Sequence, residues 1–196
     1  MELNLGFMVS GRGSNFKAIL DYIDRDKLDA SANVLISSDP NARALATAKA
    51  RRMPFYCLNL DNTEKLDEAI VQTLDRHGVN LVVLAGYIKK VGHPVLEAYR
   101  NKILNIHPAL LPKYGGEGMY GMKVHEAVIA SGDTESGATI HLVTEEYDAG
   151  EILARYTVPR FANDTPETLA RRVLSIEHVL YPQTLIDIQE GIISLD

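Results

Sequence analysis

Cysteine is almost absent from the sequence, which has one cysteine and no tryptophan in 196 residues. The single thiol, Cys57, cannot form an internal disulfide and has no second thiol for a metal or redox pair. This cysteine usage fits a reducing cytoplasm. Because Cys57 lies in an apolar run, we expect it to lie in the core.

Long hydrophobic runs and an excess of positive charge are also lacking. No window reaches the ~18 consecutive apolar residues of a membrane span, and the opening ELNLGFMVSG has neither region of a secretory signal. The net charge of −6 leaves no broad basic field for nucleic acid or anionic membrane. We therefore expect a soluble cytoplasmic protein whose partners are small molecules, an anionic substrate included.

Apolar runs typical of strands alternate with amphipathic helical patterns over the first half of the chain. The predicted strands lie near 3–9, 32–37, 54–60, 80–85 and 102–106, and the predicted helices near 14–28, 41–52, 63–77 and 93–99. This alternation predicts a three-layer, mostly parallel, Rossmann-like α/β sheet with helices on both faces. The length and the 46% hydrophobic composition predict one domain, 1–196.

The pattern changes after Pro112. A glycine-rich segment, YGGEGMYGM, precedes a predicted helix near 123–131, and two strand-like runs, ATIHLV and EILARYTV, are joined through TEEYDAG. This spacing predicts an antiparallel addition to the sheet. In Asp164-Thr165-Pro166-Glu167, a capping residue followed by a proline and an acidic first turn predicts a long last helix that ends near Gln189.

The loop SGRGSN follows the first predicted strand, at the edge of a parallel sheet where ligands bind. Its glycines and the helix N-terminus behind them make a cradle for a phosphate. Phe16 replaces the third glycine of a dinucleotide fingerprint, so a mononucleotide phosphate fits better than NAD. The alternative is an ordinary turn with Ser14 or Asn15 as the N-cap of the helix.

The stretch NIHPALLP follows the fifth strand. Residues two apart on a strand point to the same side, so Asn105 and His107 stand together. An amide donor beside a titratable donor suits the oxyanion that forms on a carbonyl during acyl transfer. The alternative is a histidine satisfied by a backbone carbonyl, with Asn105 as a turn former.

Asp148 lies in TEEYDAGEI, before Ala149 and Gly150. The ordinary role of an aspartate before Ala-Gly is to stabilise a turn by hydrogen bonding to the nearby backbone. The functional interpretation is that Asp148 approaches His107, orients the ring and raises the pKa of the imidazole.

These motifs together resemble one family over nearly the whole chain. SGRGSN, LAGYIKKV, NIHPALLPKY, SGATIHLVTEEYDAGEIL and SIEHVLYP are similar to the motifs of phosphoribosylglycinamide formyltransferases. The resemblance implies the formyltransferase fold and a place in de novo purine synthesis. It also implies 10-formyltetrahydrofolate as the formyl donor, glycinamide ribonucleotide as the acceptor, and no metal.

The resemblance also implies roles for individual residues. Asn105 and His107 would be catalytic and would hold the formyl oxygen as it becomes an oxyanion. His107 would also transfer protons, and Asp148 would keep His107 cationic or correctly oriented. The residues that bind the ribonucleotide would be Gly13, Ser14, Asn15 and Glu177. The residues that bind folate would be Ile88, Lys89, Lys90, Val91, Asn105 and Thr144. Residues 1–100 would form a phosphate-binding half and residues 101–196 a folate and catalytic half.

Several positions depart from the family or stay open. Thr63 stands where the family often has an arginine for the folate tail, and Lys65 is a candidate substitute. His125 and His141 either face the site or have a structural role, and the sequence leaves both alternatives open. For His178 the alternatives are helix packing and contact with the end of the substrate.

Three other functions compete with this hypothesis. A methionyl-tRNA formyltransferase normally adds an RNA-binding domain, and a 10-formyltetrahydrofolate hydrolase an N-terminal regulatory domain. The third alternative is a non-catalytic module that binds a nucleotide phosphate through SGRGSN. Such a module has no functional role for Asn105, His107 and Asp148.

Overall fold

The computed structural model describes residues 2–195. Its seven strands form one sheet in the order β3-β2-β1-β4-β5-β6-β7. Strands β1 to β5 pair in parallel, whereas β5 with β6 and β6 with β7 are antiparallel. The strands are β1 Leu3–Val9, β2 Ala30–Ser37, β3 Phe55–Cys57, β4 Leu81–Leu84, β5 Ile103–His107, β6 Glu135–Leu142 and β7 Ile152–Pro159.

Within residues 2–195, six helices cover the two faces of the sheet. They are α1 Ser14–Ile23, α2 Arg43–Ala50, α3 Thr63–Arg76, α4 His93–Ala98, α5 Met122–Ser131 and α6 Pro166–Gln189. Buried side chains of α1, α2, α5 and α6 pack on one face and those of α3 and α4 on the other. Strand β4 contributes Leu81 and Val83 to one face and Val82 and Leu84 to the other. The predicted three-layer α/β fold, with its antiparallel addition and long last helix, is confirmed.

Some local predictions were wrong. The N-cap of α1 is Gly13, with φ of 66°, and no side chain caps this helix. By contrast, the capping residue predicted before α6 is present, since the N-cap is Thr165, which forms a capping box with Thr168. Helix α1 ends at Ile23, before the predicted residue 28.

Cys57 is exposed and does not lie in the core as predicted. Its strand, β3, has three residues and pairs only with β2, at the edge of the sheet. An edge strand this short leaves its side chains open to solvent. A sequence pattern of apolar residues does not distinguish an edge strand from a central one.

The strand order determines where the ligand crevice lies. The chain runs from β1 outward through β2 to β3 and then returns to β4 on the other side of β1. The loops that follow β1 and β4 therefore separate at their carboxyl ends and leave a crevice, as in other open α/β sheets. The loop after β1 carries SGRGSN and the loop after β4 carries GYIKK.

Tyr181 of α6 joins the last helix to this edge of the sheet. Its side chain is fully buried, and its hydroxyl lies 3.1 Å from the carbonyl oxygen of Leu84 and 2.9 Å from that of Leu104. The single O–H donates to one of these carbonyls at a time. The contact holds the ends of β4 and β5 together one residue before Asn105.

Replacing Tyr181 with phenylalanine removes this donor and leaves the ring in place. We expect the free energy of unfolding of Tyr181→Phe to fall by about 1 kcal/mol, the usual net contribution of one hydrogen bond. Denaturant unfolding measures this change. Tyr156→Phe is the control, because Tyr156 is 53% exposed on the edge strand β7. Equal stability of the two variants would contradict the role of the Tyr181 hydroxyl.

Candidate active site

The carboxylate of Asp148 lies at the centre of the site. Its Oδ2 is 3.4 Å from Nδ1 of His107, and its Oδ1 is 3.4 Å from Nε2 of His141. The backbone N–H of Gly116 donates to Oδ2 at 3.0 Å. Burial raises the pKa of Asp148, but the hydrogen bond with His141, the charge interaction with His107 and the Gly116 N–H outweigh it, and the pKa is lowered. Asp148 therefore remains ionised and joins three separate segments.

The pairing of β5 with β6 brings His141 beside Asn105. The two residues are partners in the antiparallel register, and Nδ2 of Asn105 lies 3.1 Å from Nε2 of His141. Nδ1 of His141 lies 2.8 Å from the carbonyl oxygen of Leu142, which only accepts, so Nδ1 carries the proton. Nε2 of the same ring lies between the amide of Asn105 and the carboxylate of Asp148. His141 thus lies in the site.

His107 is held from both sides. The ring is 3% exposed, and its Nε2 lies 2.7 Å from the carbonyl oxygen of Tyr114. Burial lowers the pKa of His107, and the contributions of Asp148 and of the Tyr114 carbonyl, which raise it, compensate only in part. Asp148 raises the pKa of His107, as expected, but desolvation of the imidazolium is the larger effect, so the net shift is downward. The contact favours orientation of the ring as the role of Asp148.

Two residues that contact His107 have left-handed backbones. Tyr114 has φ of 59° and Asp148 has φ of 54°. This conformation costs roughly 1–2 kcal/mol for a residue with a side chain. Strain of this kind persists only where the surroundings hold it, and it concentrates at functional sites.

The glycine-rich segment after Tyr114 packs against Asp148. A Cβ added to Gly115 would lie 2.5 Å from Cδ2 of Leu111 and 3.1 Å from Cβ of Asp148. Only glycine permits this approach, which brings the N–H of Gly116 to the carboxylate. This glycine-rich segment is therefore part of the site.

The loop after β1 meets the last helix at a buried polar pair. Nδ2 of Asn15 donates to Oε2 of Glu177 at 2.6 Å, and the two residues are 6% and 8% exposed. Burial raises the pKa of Glu177, and the hydrogen bond from Asn15 opposes that shift in part. Oδ1 of Asn15 is buried and has no hydrogen-bond partner among residues 2–195. A buried amide oxygen without a partner is the kind of group that a ligand satisfies.

One cavity of about 880 Å³ contains all the predicted site residues. Those residues are Gly13, Ser14, Asn15, Ile88, Lys89, Lys90, Val91, Asn105, His107, Thr144, Asp148 and Glu177. A second cavity of about 740 Å³ shares Lys89, Lys90 and Val91 with it and is also lined by Thr63. Lys65 does not line either cavity.

The loop between β6 and β7 is tied to the segment after β4. Nζ of Lys90 lies 5.6 Å from the ring centroid of Tyr147, and Nδ1 of His93 lies 2.9 Å from Oε1 of Glu145. These exposed contacts bridge the two loops that line the cavity. Each is weak by itself because both partners keep access to water.

Part of the cavity lining was not predicted from the sequence. Helix α6 contributes a face with helical spacing, and Arg12 lies before the phosphate cradle. The residues of that face are Glu167, Ala170, Arg171, Leu174 and Glu177. Their spacing of three and four residues from Glu177 is the signal that could have found them.

Within residues 2–195, no group of three or more histidine, cysteine, aspartate or glutamate side chains is arranged to hold a metal ion. In the same part of the chain, no helix has the length and apolar character needed to cross a bilayer.

Comparison with known proteins decides the family. Residues 3–185 match the formyl transferase family. The chain is 35% identical to the phosphoribosylglycinamide formyltransferase of Bacillus subtilis, over 90% of this chain and 89% of that protein. This chain belongs to the phosphoribosylglycinamide formyltransferases within the formyl transferase family.

Other known proteins are similar over different lengths. The chloroplastic phosphoribosylglycinamide formyltransferase of Arabidopsis thaliana is 42% identical over 92% of this chain, which spans 63% of that protein. The crystal structure of glycinamide ribonucleotide transformylase 1 from Symbiobacterium toebii is 34% identical with a TM-score of 0.91, covering 97% of this chain and 89% of that one. A formyltetrahydrofolate deformylase from Pseudomonas syringae shares the fold, with a TM-score of 0.85 at 24% identity.

His125 provides a test of burial in the site. This histidine of α5 is 5% exposed, and burial, together with the charge of His107, lowers its pKa to about 4, from 6.5. Between these values the unfolded chain binds a proton that the folded chain does not, so stability rises with pH. We expect stability to be lost as the pH falls from about 6.5 to about 4, and His125→Gln to reduce that loss.

Urea unfolding at several pH values across this window measures the effect. His107 and His178 also have lowered pKa values through burial, so part of the pH dependence remains in the variant. The same pH dependence in both proteins would contradict a neutral, buried His125.

Proposed function

We propose that this protein transfers the formyl group of 10-formyltetrahydrofolate to the amine of glycinamide ribonucleotide. One observation carries the proposal: a single cavity is lined both by the cradle of SGRGSN and by the group of Asn105, His107 and Asp148. The first feature suits a sugar phosphate and the second suits acyl transfer. The names of the relatives support the same reaction.

The ribonucleotide binds along the loop after β1. Gly13, Ser14 and Asn15 hold the phosphate at the positive end of α1. Glu177 holds the ribose or the glycinamide end, because its carboxyl lies 2.6 Å from the amide of Asn15. Arg12 lines the same cavity and adds positive charge.

The reaction needs no covalent enzyme intermediate. The amine nitrogen forms a bond to the formyl carbon, the carbonyl oxygen becomes an oxyanion, and the bond from N10 of folate to that carbon then breaks. The amide of Asn105 donates to the oxyanion. Nε2 of His107 is committed to the Tyr114 carbonyl, so the proton that leaves the amine and reaches N10 passes through Nδ1, beside Asp148.

The folate lies between two loops. Ile88, Lys89, Lys90 and Val91 on one side and Thr144 on the other line the pterin pocket with backbone donors and acceptors. Lys89 and Lys90 line the second cavity as well, beside Thr63, and supply positive charge for a folate tail there. Lys65 lines neither cavity, which argues against it as the substitute for the family arginine.

The proposal includes the setting of the reaction. 10-Formyltetrahydrofolate is a cosubstrate and no metal takes part, since amine attack on a formyl group needs orientation and proton transfer. We place the protein in the cytoplasm, in purine synthesis, with residues 1–196 as one domain. The phosphate half, 1–100, and the folate and catalytic half, 101–196, meet at the contact of Asn15 with Glu177.

Hydrolysis of 10-formyltetrahydrofolate is the second candidate, because a deformylase shares the fold. The release of tetrahydrofolate, followed spectroscopically with and without glycinamide ribonucleotide, distinguishes the two. We expect release only with the ribonucleotide. Equal release without it would favour hydrolysis, and no release under either condition would favour a module that only binds.

The role of Asn105 has its own test. We expect Asn105→Ala to keep the fold and to lose roughly a hundred- to a thousand-fold in kcat, the usual loss for one oxyanion donor. Asn80→Ala is the matched control, because Asn80 accepts from the N–H of Asn4 and donates to the carbonyl of Glu2, just before β4 and away from the cavity. That variant should lose stability and keep kcat. A wild-type kcat in Asn105→Ala would end the assignment.

A further inference from the structure

His125 is a buried titratable residue that the proposed mechanism does not use. It lies in the first turn of α5, is 5% exposed, and lines the cavity of about 880 Å³ together with His107 and Asn105. Helix α5 follows the glycine-rich segment that packs against Asp148. His125 is therefore positioned by the same segment that completes the site.

The two ring nitrogens of His125 have different surroundings. Nδ1 is enclosed and has no hydrogen-bond partner among residues 2–195, whereas Nε2 is not among the enclosed atoms that lack a partner. A buried polar atom without a partner destabilises the folded protein, because it has lost its hydrogen bond to water. Such an atom in a folded protein calls for an explanation, and a functional role of the residue is one of those explanations.

The protonation of the ring follows from this difference. Burial and the charge of His107 keep His125 neutral near pH 7, because they lower its pKa to about 4. A neutral imidazole has one N–H and one lone pair. A stranded N–H is rarer in proteins than an unsatisfied acceptor, so Nδ1 keeps the enclosed lone pair and Nε2 carries the hydrogen toward the cavity.

We propose that His125 is a substrate-binding residue whose neutral Nε2–H donates a hydrogen bond to a carbonyl oxygen of the bound substrates. This inference rests on the proposed function. The oxygen belongs either to the formyl group or to the glycinamide carbonyl. A neutral imidazole polarises a carbonyl without adding a second positive charge beside His107, and neutral histidines act this way in other enzymes.

Nitrogen NMR of the histidine rings tests the proposal without turnover. We expect His125 to show the Nε2–H tautomer and its Nε2 resonance to shift when glycinamide ribonucleotide or 10-formyltetrahydrofolate is added separately. The ligand that causes the shift identifies the oxygen. His178 is the matched control, because its Nε2 is also buried without a partner in the described chain, but it does not line the cavity. Its resonance should not move.

Three substitutions separate a donor at Nε2 from a packing role. Glutamine places an amide N–H near the position of Nε2, asparagine places one near Nδ1, and leucine fills the space without a donor. For the formyl oxygen, His125→Leu and His125→Asn should lower kcat about a hundred-fold. For the glycinamide carbonyl, they should raise the KM for the ribonucleotide about tenfold. His125→Gln should restore most of the loss in either case.

The results of these experiments distinguish a failure of this inference from a failure of the proposed function. If the ligands bind, seen as shifts of the His107 resonances, but His125 does not respond or shows the Nδ1–H tautomer, this inference fails alone. Equal losses, or no losses, in the glutamine and leucine variants would also overturn it. If neither ligand binds, the proposed function and this inference fail together.

Discussion

The site depends on one buried carboxylate. Asp148 brings together His107 at the end of β5, His141 in β6 and the N–H of Gly116 in the glycine-rich segment. These segments are far apart in sequence, and their contacts with Asp148 offset its burial enough to keep its pKa low. Without this carboxylate, two imidazole rings and a backbone N–H would lose their shared contact. The left-handed backbone of Asp148 is sustained by the same contacts.

The sheet topology makes this arrangement possible. The return of the chain from β3 to β4 opens the crevice beside β1, and the antiparallel β6 then places His141 opposite Asn105. Tyr181 joins α6 to the ends of β4 and β5, in the same helix in which Glu177 bonds to Asn15. One helix thus contacts both the phosphate cradle and the strand that carries Asn105. A change in the position of α6 would therefore alter the binding sites of both substrates.

The three histidines that line the cavity, His107, His125 and His141, differ in their hydrogen-bond partners. His107 is held between Asp148 and the Tyr114 carbonyl, and His141 between Asn105 and the Leu142 carbonyl. Both rings have fixed partners, so their orientation is set by the protein. The ring of His125 has no such partner on Nδ1. This difference is what makes His125 the candidate to contact a substrate, while the other two rings are oriented in advance.

The alternation of apolar runs and amphipathic patterns determined the α/β fold, and the spacing in NIHPALLP determined that Asn105 and His107 share one side of a strand. These features are local, since strand and helix periods follow from neighbouring residues. The exposure of Cys57, the pairing of Asn105 with His141 and the direction of the His107 pKa shift were decided by the tertiary structure. Each depends on which segments pack together, because edge position, strand register and desolvation belong to the assembled molecule and not to any stretch of its sequence.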